Sequence, residues 1–467
     1  MTDEAEPVQL TGRLAEVSLA VSYGGLRPSP TALPKPTRLI WAGVDLALED
    51  AELSLAGHEL TFRVFRGTSG PYELFNMMHV LNKPARLELA DGTTLSAARA
   101  HLHHMGATTR NDGSTSGGVE FELDAWEWLP REVSRLVFVG EVHELPRPPG
   151  DNLLLRDGPS SSRGHLRVMG TLLWHLLSVG RSCWAVVSFQ EAVPTAASVR
   201  TDLVALDFVC GRSLGVPVLW AIDEATNVVG AVGPGRPPPI THRHRIPFPH
   251  GVFERSNWAE PLFRLVSAEI ANDDEAVSMA ITGYLEGLRG HIHGGYLLAQ
   301  TALEAFCKRS MPKESLPPLV TCGRDWNRWV NEHAPEIALF ARTNEDADVL
   351  LNKLRSSAIQ RPTSKVVETA FAHWSINLPK RVLGEIGMRN SSAHDFTMFD
   401  EAGGDIQAAA DRVDLVQMLL AAAIAVRIGY TGPIVGWERD SRGHLQIPDF
   451  WATSAIAEAT TSYECAR

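Results

Sequence analysis

The stretch Val277-Ser278-Met279-Ala280-Ile281-Thr282-Gly283-Tyr284-Leu285-Glu286-Gly287-Leu288 decides the fold class of this chain. Its apolar residues Val277, Ala280, Ile281, Tyr284, Leu285 and Leu288 fall at i, i+3, i+4, i+7, i+8 and i+11, the stripe of an amphipathic helix. Asn272 or Asp273 stands where the N-cap belongs.

The same period continues downstream. It recurs at Ala347/Leu350/Leu351/Leu354 and Val367/Ala370/Phe371/Trp374, and residues 296–308 and 411–428 read as two more helices. Pro379 suits the first turn of a short helix that runs to Met388 and buries Val382, Leu383 and Ile386. Five or more helices predict a bundle.

Upstream the period is two. Val17/Leu19/Val21/Tyr23, Leu60/Phe62/Val64, Leu87/Leu89 and Val119/Phe121/Leu123/Ala125 alternate with polar residues, as half-buried strands do. Ala90-Asp91-Gly92 and Asn111-Asp112-Gly113-Ser114 supply tight turns between them, which favours antiparallel connections. Residues 146–233 are mixed, with a helix read over 165–179 and short apolar runs at 183–189, 206–210 and 216–222. Prolines then fill 234–250, where the missing N–H donors predict a linker or ordered loop. The fold expected is α+β. A β-rich domain spans 1–145, a mixed α/β continuation 146–255, a helical bundle 256–430 and a C-terminal extension 431–467.

Length and composition set the class. The 467 residues suit two or three domains, and 44% hydrophobic with 21% charged residues is the balance of a folded soluble protein. The acidic start Met1-Thr2-Asp3-Glu4 carries no apolar signal run, and the longest strongly apolar stretch, 418–426, is far too short for a bilayer, so a cytoplasmic protein without membrane contact is expected. Cys183, Cys210, Cys307, Cys322 and Cys465 are scattered and odd in number, which argues for reduced, structural thiols. A formal charge of −12 speaks against broad affinity for nucleic acid, so any RNA contact must be local. The best local candidate for phosphate is the basic loop with Arg236, Arg243 and Arg245, whose alternative is a solvated linker.

Arg389-Asn390-Ser391-Ser392-Ala393-His394 lies between two helical stretches. Arg-x-x-x-x-His spacing also occurs at Arg99/His104, Arg245/His250, Arg328/His333 and Arg439/His444, so context must choose. The 389–394 copy has Asn390 beside the arginine and helices on both sides. On a continuous helix its arginine and histidine would stand roughly 140° apart, but Asn390, Ser391 and Ser392 favour a break there.

These features resemble the HEPN family over about residues 256–430, and with the β-rich front part they look like the ApeA-type architecture. The resemblance implies a metal-independent endoribonuclease, a bacterial anti-phage abortive-infection effector held inactive until a phage-derived trigger releases it. It implies a homodimer or higher homo-oligomer through the bundle, in which two motif copies share a cleft, and an RNA substrate with tRNA among the candidates. No metal or cofactor is expected, because RNA brings its own nucleophile, the 2′-hydroxyl. His394 suits proton transfer and Arg389 suits the phosphorane oxygens, with a 2′,3′-cyclic phosphate as product. Asn390 matches the polar position after the arginine, and Glu304 in Ala302-Leu303-Glu304 resembles an acidic position of the family's second helix.

Alternatives stay open. Arg389 pairing with Asp395 or Glu385 would make the motif structural, and an inactive HEPN scaffold would bind RNA or a partner without turnover. His101, His103 and His104 offer a metal-dependent hydrolase, and His291 and His293 ligands or caps. Trp126/Trp128 and Trp326/Trp329 are read as core rather than as base-stacking platforms. No phosphate-binding glycine loop, dinucleotide fingerprint or Gly-x-Ser-x-Gly elbow occurs.

Overall fold

Alternating apolar side chains carry one antiparallel sheet from Pro36 to Gly233. The computed structural model describes residues 33–41, 44–56, 59–65, 83–130, 136–142, 165–169, 172–179, 182–189, 195–215, 218–223, 227–234, 259–272, 275–315, 322–356, 361–387, 406–432 and 434. Its strands are β1 (Pro36–Trp41), β2 (Val44–Ala47), β3 (Ala51–Ala56), β4 (Glu59–Phe65), β5 (Ala85–Leu89), β6 (Thr94–Thr109), β7 (Thr115–Leu129), β8 (Val137–Val142), β9 (His165–Met169), β10 (Leu172–Val179) and β11 (Ser182–Phe189). Helix α1 (Ala196–Cys210) precedes β12 (Leu219–Ile222) and β13 (Val228–Gly233), and helix α2 (Ala259–Ala271) ends the unit.

The strand order is β2-β1-β5-β6-β7-β13-β12-β8-β11-β10-β9, and β7 also holds β4, which holds β3. Since β6 covers β7 along its whole length, β4 and β13 share the other edge. Residues 118–123 of β7 pair with β4, and residues 126–128 with β13.

Ala125, at the changeover, has φ 49°, in the left-handed region. Burial falls on Val119, Phe121 and Leu123 before it and on Trp126 and Trp128 after it, yet both sets join one core with Trp41, Phe62 and Leu95. The expected alternation through Ala125 therefore breaks: this residue is half-buried, because its backbone turn reverses the parity of the pleat.

The helix expected over 165–179 is instead the strand pair β9 and β10, in register from Leu173↔Met169 to Leu177↔His165. The Leu172–Val179 strand is nearly all apolar, and such a run cannot be assigned by period when both faces are buried. The helix of this region is α1. Thr195 and Ser198 form a capping box at its start, and Gly211, at φ 62°, closes its end with an N–H donated to the carbonyls of Asp207 and Phe208.

The expected boundaries at 145 and 255 do not divide the chain. The sheet runs through 145 because β8 pairs with β11 and β12, and the chain parts into units 1–273 and 274–467. Helix α2 stays with the sheet: its Ser267 donates to the buried Asp202 of α1 at 2.5 Å, and Asp202 also accepts from Trp174 Nε1 of β10 at 2.9 Å.

The second unit is helical among the described residues. It contains α3 (Glu275–Arg289), α4 (Ile292–Ser310), α5 (Gly323–Glu332), α6 (Ala334–Ala338), α7 (Asn344–Ser356), α8 (Thr363–His373), α9 (Lys380–Gly387) and α10 (Ile406–Arg427). The helices expected from period 3.6 are there within a few residues, and the protein is α+β. Helix α4 is central, packed on α3, α8 and α10. Its contact with α3 is close: a Cβ at Gly283 would lie 2.3 Å from Ala302 Cβ, and one at Gly295 would lie 2.5 Å from the Gly287 carbonyl oxygen.

Buried Asp207, near the end of α1, generates a pH prediction. Its carboxyl accepts the Leu214 N–H at 2.7 Å, but burial dominates and pushes its pKa from 3.8 up to about 8. Between those values the folded chain keeps a proton that the unfolded chain has released, so stability falls as pH rises through the window. Urea unfolding of the wild type is expected to show lower stability at pH 8 than at pH 5, and Asp207→Asn a flatter profile. An unchanged slope in the variant would assign the dependence elsewhere.

Candidate functional site

An α-helix leaves its last four carbonyls without partners inside the helix. At the end of α9 two of them are met by side chains of α4. Tyr296 Oη donates to the Glu385 carbonyl at 2.8 Å, and Gln300 Nε2 donates to the Ile386 carbonyl. Tyr296 and Gln300 are both buried, and the Gln300 bond forms away from solvent while the Tyr296 bond is part-buried. Arg412 of α10 adds an ion pair, Nε to Glu385 Oε2 at 2.9 Å. The end of α9 is thus fixed from two neighbouring helices, two residues ahead of Arg389 in sequence.

Glu304, one turn beyond Gln300 on α4 and about 6 Å further along its axis, is the one sequence-predicted site residue within the described set. Both of its oxygens are engaged. Lys308 Nζ donates to Oε1 at 2.6 Å and Thr363 Oγ1 donates to Oε2 at 2.7 Å, which ties α4 to the first residue of α8. Burial, with the Glu304 charge adding to it, pushes the neighbouring Cys307 thiol well above its ordinary range, so that thiol is an inert core group.

Arg389, Asn390 and His394 lie outside the described residues, as do Arg236, Arg243 and Arg245 of the basic loop. Two rival Arg-x-x-x-x-His copies are described. Arg328 lies on continuous α5 with His333 at its C-cap, and the Arg99/His104 pair sits on β6 across a bulge between Leu102 and His104. That bulge also breaks the alternation that would set His101 and His103 on one face. Among the described residues no three His, Cys, Asp or Glu side chains cluster as metal ligands would. Trp126 and Trp128 are core as expected, but Trp329 is 45% exposed. The reading of Trp326/Trp329 as core is corrected: Trp326 is half-buried with its Nε1 donating to the Leu354 carbonyl of α7, and Trp329 remains on the surface.

The residues that hold α9 were missed by the sequence reading. A signal existed: Gln300 sits on the same stripe as Tyr296, Ala299 and Leu303, and a carboxamide on a buried stripe needs a partner.

Removing these donors gives a direct test. Tyr296→Phe is expected to lower stability by about 1 kcal/mol and Gln300→Leu by about 1–3 kcal/mol in urea unfolding. Both should speed amide hydrogen exchange at the end of α9, and exchange equal to wild type would mean that other groups hold that end.

No protein-family model, curated protein or solved structure matches this chain.

Proposed function

We propose that this chain is a metal-independent endoribonuclease of the HEPN type, an anti-phage abortive-infection effector that cuts RNA in the cytoplasm, with tRNA among its candidate substrates. One observation carries the reading: the Arg389-Asn390-x-x-x-His394 motif begins two residues after a helix end that α4 holds with two hydrogen bonds, one buried and one part-buried. A phosphate-binding arginine and a proton-transferring histidine need such an anchor, since misplacement by about 1 Å costs roughly a hundredfold in rate.

In this reading His394 takes the proton of the 2′-hydroxyl and the 2′ oxygen bonds to phosphorus. The bond to the 5′ oxygen breaks, and that oxygen leaves with a proton. Arg389 holds the phosphorane oxygens through two parallel N–H donors, and Asn390 orients phosphate or imidazole. The products are a 2′,3′-cyclic phosphate and a 5′-hydroxyl. The active form is a homodimer or higher homo-oligomer, released by a phage-derived trigger. No described helix is long and apolar enough to cross a membrane.

Glu304 favours a second reading, a noncatalytic scaffold with the same bundle, because Lys308 and Thr363 already occupy its carboxylate. In both readings Glu304 braces α4 against α8.

Total cellular RNA incubated with the protein in EDTA separates the two. Fragments ending in cyclic phosphate are expected from the wild type, with a fall of about 10²–10⁴-fold in His394→Ala and relief of growth arrest in expressing cells. Equal toxicity of wild type, Arg389→Ala and His394→Ala would favour the scaffold, and loss of cleavage in EDTA would refute the metal-independent mechanism.

A further inference from the structure

We draw no further inference here: the strongest candidate, the surface patch of Leu339 and Phe340 at the end of α6, 83% and 86% exposed, carries nothing because nothing in the structure shows what covers it.

Discussion

The approach of α3 to α4 sets the geometry of the helical unit. Gly283 faces Ala302, and Gly295 faces the carbonyl of Gly287, at distances that leave no room for a side chain. With no side chains between the backbones, the two helices have little freedom to slide or rotate, and packing density at the contact is high. Every partner of α4 inherits that position. Tyr296 and Gln300 project to the end of α9, Glu304 projects to the start of α8, and α10 packs along the same helix.

Much of this was legible in the sequence, for identifiable reasons. The apolar stripe of Val277 to Leu288 is regular over three turns, and its residues are buried in the structure. Helices α7, α8 and α9 announced themselves in the same way, through one-sided burial that leaves a period, whereas α10 is buried on every side from Leu415 to Ala425 and leaves none. Where burial is two-sided the period vanishes, which is why the Leu172–Val179 strand read as helix and why α1, with Asp202 and Asp207 inside its buried surface, did not read as one. The reversal at Ala125 was illegible for another reason: alanine does not advertise a left-handed backbone, and only its neighbours' burial reveals it.

The candidate site was legible in part. Arg389, Asn390 and His394 were singled out by residue type, spacing and flanking helices, all of which are one-dimensional features, and they lie outside the described residues. The groups that hold the end of α9 come from α4, more than eighty residues earlier, and the sequence marks them only by Gln300 on a buried stripe. The exposure of Trp329 was illegible because tryptophan looks like core by composition, while exposure depends on how much apolar surface the neighbouring helices offer.

The Glu304–Thr363 hydrogen bond joins residues separated by 59 positions and so closes the neck of the excursion formed by α5, α6 and α7. Those three helices pack chiefly on one another. An excursion with a pinned neck behaves as an inserted module: its length can change without altering the distance its ends must span, and the entropy of closing it grows only with the logarithm of that length. Changes in the length of this module between Glu304 and Thr363 therefore cost little in closure entropy, which makes the neck the natural place for the chain to vary.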